Sequence, residues 1–161
     1  MLLFHPQIAF MDGIGRVLAC DVFARDPLPP FPASIKDGYA VRAADGPGLR
    51  KVAGVSIAGS QPQKNEPLGA GFCARISTGA PLPPGADSVV MVEETRLVAA
   101  SEDGSTELEI EILADTIRPG QEVRPVGSDI RQDQQVGGSF IQSTEKEPID
   151  ATNLMKMAEI L

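Results

Sequence analysis

Pro27-Leu28-Pro29-Pro30-Phe31-Pro32-Ala33-Ser34-Ile35-Lys36-Asp37-Gly38-Tyr39-Ala40-Val41 decides how this chain is read, because backbone stiffness, turn chemistry and ionisable groups coincide within it. Four prolines fix φ and remove four amide donors, so the stretch is neither a helix nor a central strand, and the residue ahead of each proline is pushed extended. Ser34, Lys36 and Asp37 are thereby displayed on a stiff approach. Gly38 supplies the freedom for a turn before Tyr39-Ala40-Val41 returns to extended structure. A shaped polar loop of this kind suits binding.

Outward from that loop, 16 Gly and 14 Pro in 161 residues, with only 4% aromatics, favour many short strands and tight turns over long helices. Strands are expected over residues 14–24, after the turn at Asp12-Gly13, and over 39–42, 52–60 and 71–76. Residues 88–93 and 106–112 read as the two arms of a hairpin around 101–105. The second arm alternates acid and aliphatic residues, which gives it one wet face. Further turns fall at Arg118-Pro119-Gly120 and Gly127-Ser128-Asp129. Beyond Pro148, an N-cap at Asp150 or Thr152 and apolar Leu154, Met155, Ala158 and Leu161 at helical spacing predict a short amphipathic helix. The fold class is therefore mainly β (α+β), short strands and hairpins with a short terminal helical element.

A hydrophobic share of 42% is enough for a real core. No apolar run is long enough to span a bilayer, and Met1-Leu2-Leu3-Phe4-His5-Pro6 is too short and uncharged for a signal peptide, so a cytosolic location is expected. The formal net charge of −8 makes nucleic acid and anionic membranes poor partners. Cys20 and Cys73 each stand alone in an apolar stretch, which points to two buried free thiols rather than a disulfide or a metal site. His5 has no nucleophile motif beside it, and neither GxxxxGK[ST] nor GxGxxG occurs, so a catalytic triad and a self-contained nucleotide fold find no support.

Three turn-rich loops can carry chemistry: residues 32–38, 76–85 and 125–129. If they converge, Asp37 and Asp129 can hold a hydrated cation such as Mg2+, while Ser77 or Thr78 and glycine amides hydrogen-bond an anion. Asp before Gly and Thr before Gly are also ordinary turn chemistry, and on spacing alone that is the better reading. Glu107, Glu109 and Glu111 suggest a metal comb, yet acids at period two with aliphatics between them fit a solvated strand face better.

The motifs Gly15-Arg16-Val17-Leu18-Ala19, Leu28 to Val41, Ala44-Asp45-Gly46-Pro47-Gly48, Ser77-Thr78-Gly79-Ala80-Pro81, Gly85 to Val90, Val92-Glu93-Glu94-Thr95, Arg118-Pro119-Gly120 and Arg124 to Ile130 carry a further reading. Together they make the chain resemble the N-terminal part of the MoeA family, including the E domain of gephyrin, over roughly residues 13–136. The resemblance implies a molybdopterin molybdenumtransferase that inserts molybdate into adenylylated molybdopterin and releases AMP in a Mg2+-dependent step. It implies a homodimer whose cleft joins the β-rich domain of one subunit to the molybdopterin-binding domain of a partner subunit. Asp37 and Thr78 fall on catalytic positions, Asp37 also on the Mg2+ side. Ser34, Lys36, Ser77 and Asp129 fall on substrate-binding positions. The implied organisation is a partial elongated first domain at 1–26, the β-rich domain at 27–136, and a divergent tail at 137–161 whose helix returns to the first domain. The resemblance implies that the family's molybdopterin-binding and C-terminal barrel domains lie outside these 161 residues. Two alternatives accompany the enzymatic role: a gephyrin-like scaffold with receptor or cytoskeletal partners, and an inactive fragment.

Overall fold

The computed structural model describes residues 12, 20–59 and 67–137. Within them the chain is mainly β, as the turn-rich composition predicts, with two single-turn 3-10 segments at Ala43–Asp45 and Val92–Glu94. The contacts divide it into two compact units, one comprising Phe31–Val126 and the other the chain up to Pro30 and from Gly127 onward. The terminal helix expected beyond Pro148 and the strand residues expected at 14–19 lie outside the described residues.

The larger unit is built on six strands: β3 (Gly38–Val41), β4 (Gly48–Ser56), β5 (Phe72–Ile76), β6 (Ser88–Met91), β7 (Thr95–Ala100) and β8 (Glu107–Ile112). They form one sheet in the order β6-β3-β5-β4-β8-β7, antiparallel at every pairing except β4 with β5. A short antiparallel pair, β2 (Ala33–Ser34) and β9 (Val123–Arg124), completes the unit.

Side chains alternate across a strand, so β3 serves two cores at once. Tyr39 and Val41 point to one face, where they meet Cys73, Val90, Ile110 and Ile112. Ala40 points to the other and packs with Ile76, Val89 and the loop residue Ala80. Burial of a side chain the size of Val41 contributes about 1.5–3 kcal/mol, and the one polar side-chain group on β3, the Tyr39 hydroxyl, is hydrogen-bonded to Glu107. Gly38 is required at the head of β3 because a Cβ there would stand 2.0 Å from the Val90 carbonyl oxygen.

Three expectations need correction. The hairpin that turns at 101–105 has β7 as its first arm, whereas Ser88–Met91 pairs with β3 instead. The glutamates of β8 are half-buried rather than simply wet: Glu111 pairs with Arg96 across the strands, and Glu107 accepts a hydrogen bond from the Tyr39 hydroxyl. Cys73 is buried as expected, but Cys20 is exposed.

In the smaller unit, β1 (Val22–Phe23) pairs with β10 (Gln135–Gly137), and Ala24 and Ile130 form a small core with Leu28 and Val136. No helix among the described residues is long and apolar enough to cross a membrane.

Candidate functional site

The proline-rich approach does its work by lying along a second loop. Leu82 N–H donates to the Pro32 carbonyl, Ser34 N–H to Ala80, and Gly79 N–H to Ser34, at 2.9, 2.9 and 2.8 Å. Prolines 27–32 lack amides of their own, so the zipper is made from the partner's amides until Ser34 supplies one. On its other side, Ala33–Ser34 pairs with Val123–Arg124. Two of the loops selected from turn chemistry are thus held side by side.

Asp37 sits at the end of this approach, immediately before β3, and Thr78 sits just past β5. Because β3 and β5 pair with Gly38 opposite Ile76, the two turns emerge at the same end of the sheet. The Thr78 amide donates to Asp37 Oδ1 at 2.8 Å, and the Val92 amide donates to the Asp37 carbonyl at 3.2 Å. Asp37, Lys36 and Thr78 are all exposed. The structure therefore presents one carboxylate, oriented by a backbone amide, with an ammonium-bearing residue next to it in the chain.

Ser34 and Ser77 are placed differently. Ser34 is buried, and its hydroxyl donates to the Lys36 carbonyl at 2.5 Å while accepting the Lys36 amide at 3.3 Å. Ser77 Oγ accepts the Ala58 amide at 3.2 Å. The amides expected to cradle an anion in this loop already have partners: Ser77 with Ser56, Thr78 with Asp37, Gly79 with Ser34 and Ala80 with Ser77. An anion arriving here meets side chains, not free glycine amides, which corrects the amide half of the sequence expectation.

Asp129 belongs to the smaller unit. It is exposed there, its amide donates to the Leu28 carbonyl at 3.0 Å, and its Oδ1 accepts the Ser128 hydroxyl at 3.3 Å.

Mg2+ takes six oxygens in a strict octahedron, keeps several waters, and is commonly held by one or two carboxylates together with phosphate oxygens. Among the described residues no three His, Cys, Asp or Glu side chains converge on a metal-sized site, Glu107, Glu109 and Glu111 included. Asp37 offers one exposed carboxylate. These residues fit an ion shared with a phosphate-bearing ligand and do not fit a cage made by the protein alone.

Sequence reasoning missed a polar cluster behind the Asp37 turn. Tyr39 is almost fully buried and donates its hydroxyl to Glu107 Oε2 at 2.8 Å. Arg75 lies over the Tyr39 ring, 5.0 Å from its centroid, and its Nε is 3.7 Å from the same glutamate oxygen. Burial and the Glu107 hydrogen bond push the Tyr39 phenol up to about 12, with Arg75 opposing. Burial likewise pushes the Cys73 thiol up to about 12, which makes it an inert core residue. The available signal was the pairing of Tyr39 with Arg75, which is legible only once strand register is known.

With this geometry in place, residues 4–144 match the model of the MoeA N-terminal region, described as domain I and II. The chain belongs to that family. It is 40% identical over 137 residues to a gephyrin of Dictyostelium discoideum, covering 77% of this chain and 18% of that protein. It is 45% identical over 103 residues to the molybdenum cofactor synthesis protein cinnamon of Drosophila melanogaster, covering 64% and 17%. With a molybdopterin molybdenumtransferase of Haemophilus influenzae it shares 33% over 139 residues, covering 81% and 31%. A solved molybdopterin biosynthesis MoeA protein from Pyrococcus horikosii superposes with a TM-score of 0.79 at 31% identity, over 95% of this chain and 37% of that one. The chain thus spans less than a third of the length of each of these three relatives.

Proposed function

We propose that this chain supplies the β-rich side of a molybdopterin molybdenumtransferase site, at which molybdate is inserted into adenylylated molybdopterin and AMP is released during molybdenum cofactor synthesis in the cytosol. The observation that carries the reading is the Thr78 amide on Asp37 Oδ1, made between two motifs of a chain that matches the MoeA N-terminal region and relatives named for this chemistry. In this reading the two compact units are domains I and II, and the molybdopterin-binding domain of a partner subunit in a homodimer faces the Asp37 end of the sheet.

Each residue then has a task. Asp37, fixed by the Thr78 amide, presents its carboxylate toward the substrate's phosphate region as the ligand for a cation shared with the phosphate. Asp37 would hold Mg2+ together with phosphate oxygens, and the ion would supply positive charge against the phosphate. Thr78 holds Asp37 and offers its exposed hydroxyl to the substrate. Lys36 supplies a positive charge for an anionic substrate, and Ser77 contributes a polar contact. Ser34 contributes by holding the turn in which Lys36 and Asp37 stand.

The test is a chimera in which this chain replaces the matching region of the Haemophilus influenzae molybdopterin molybdenumtransferase. Molybdate-dependent AMP release is expected, and Asp37→Ala should lower it by about 100-fold or more with the fold intact, as loss of a group acting on the reacting phosphate does. A folded chimera without activity, or full activity in Asp37→Ala, overturns the proposal.

A further inference from the structure

We infer that Glu107, acting through Arg75, is a positioning residue for the Asp37 turn. The inference rests on the reading of Asp37 and Thr78 given above and adds a residue from the far hairpin to it. Arg75 Nη1 donates to the Gly38 carbonyl at 3.2 Å, one residue beyond Asp37. Arg75 also lies on β5 three residues before Thr78. A single guanidinium therefore ties together the two strands whose ends carry the carboxylate and the amide that orients it.

What orients Arg75 comes from elsewhere in the sheet. Its Nε is 3.7 Å from Glu107 Oε2, the atom that also accepts the Tyr39 hydroxyl. Glu107 opens β8, and two strands, β5 and β4, separate β8 from β3 in the sheet order. The Tyr39 ring bridges that distance and gives the guanidinium a face to rest on. Arg75 and Glu107 side chains are about one-third exposed, so their attraction adds little to stability. Its consequence is directional. A planar guanidinium engaged at Nη1 and at Nε has one orientation, and an ammonium in its place has many. With Glu107 removed, Arg75 turns away, the Gly38 carbonyl loses the guanidinium bond, and the carboxylate one residue earlier is held less firmly against Thr78.

Two of the three partners are visible in the sequence only as bland features. Arg75 reads as a charged residue in a strand, and Glu107 as one tooth of an acidic alternation. The register brings them to one place.

The experiment is residue-resolved amide hydrogen exchange on the full 161-residue chain, comparing the native sequence with Glu107→Ala, Glu107→Gln and Arg75→Lys. Exchange of the Thr78 amide should rise about tenfold in Glu107→Ala and Arg75→Lys, while the Val90 and Ile110 amides keep their native rates, a local opening rather than a global one. Glu107→Gln, which preserves side-chain shape and an acceptor for Tyr39, should give a smaller rise and guards against misfolding of the alanine variant. Unchanged Thr78 exchange in all three variants overturns the inference. So does an equal acceleration at Val90 and Ile110, which would make the role merely structural. In the active chimera, Glu107→Ala should lower kcat with KM for adenylylated molybdopterin unchanged, and a raised KM at unchanged kcat would count against positioning. If the native chimera is inactive, the functional proposal falls, and exchange at Thr78 alone still decides whether Glu107 positions the turn.

Discussion

β3 and the β7–β8 hairpin lie in one sheet, yet they are built to different tolerances. Every residue of β3 is buried, and Gly38 at its head meets the β6 backbone so closely that no side chain fits. β7 has no buried residue, and Leu97 and Val98 are about half exposed. β3 is flanked by β5 and β6, whereas β7 is an edge strand and, among the described residues, pairs with β8 alone. The difference shows where sequence is constrained: the strand that carries the candidate site is fixed on both faces and both edges, and the hairpin is fixed on one edge only. A charge on β8 can nevertheless reach the site, because Tyr39 spans the distance between them.

The largest break in this comparison is Gly38→Ala. A methyl group placed 2.0 Å from the Val90 carbonyl oxygen has backbone, not a flexible side chain, in its way. The β3–β6 pairing must then part, and a loss of about 3 kcal/mol or more is expected. Denaturant unfolding of the purified chain measures it, and a midpoint near that of the native sequence would mean that β3 is far more yielding than its burial implies.

A matched pair sharpens the contrast. Ile76 on β5 is 1% exposed and Leu97 on β7 is 53% exposed. Truncation of Ile76 to alanine removes buried methyl groups from a core of small residues, Ala40 and Ala80 among them, that has little to collapse inward, so about 3 kcal/mol should be lost. Leu97→Ala should stay within about 0.5 kcal/mol of the native value. Equal losses would show that the hairpin is as tightly integrated as the centre of the sheet.

How much of this was legible in the sequence follows from the reach of each signal. Proline and glycine act within a few residues, so the stiff approach to Asp37 and the turn at Ser77 to Gly79 could be read directly. Pairing acts between residues far apart in the chain, and there the reading failed in a characteristic place. Ser88-Val89-Val90-Met91 has stronger strand character than Thr95-Arg96-Leu97-Val98-Ala99-Ala100, which carries two alanines. Hydrophobic strength pointed to the wrong arm for the hairpin. The short connection across 101–106 favours its sequence neighbour instead, since hairpin loops are short and adjacent strands pair. The amides at 77–80 invite an anion in one dimension, but in three Asp37 and Ser34 take those of Thr78 and Gly79, and the carbonyls of Ser56 and Ser77 take those of Ser77 and Ala80. Cys20 and Cys73 look alike in composition, and their different exposure follows from their elements: Cys73 is inside β5 at the centre of the core.

The smallest effect concerns the bond that joins the two regions. Tyr39→Phe removes the hydroxyl donated to Glu107 and leaves the ring under Arg75, so at neutral pH the loss should be about 1 kcal/mol, the usual net worth of such a bond. The pH dependence gives the sharper test. The phenol has an ordinary value of 10.0 and is pushed up to about 12 in the folded chain, by burial first and by the Glu107 bond second. Between those values the unfolded chain has released the proton that the folded chain still holds, so stability falls as pH rises. The contribution of Tyr39 is therefore fully present below pH 10.0 and disappears as pH passes through about 12. Cys73 titrates in the same direction, from 9.0 to about 12, but it does so in both proteins and cancels in their difference. The sequence has one tyrosine and no tryptophan, so the near-ultraviolet absorbance of tyrosinate follows Tyr39 alone. A native-state transition near pH 12 that moves toward 10 in Glu107→Gln would tie the hairpin to β3 through this one hydroxyl. A transition already at 10 in the native sequence would show the ring exposed and the two regions independent.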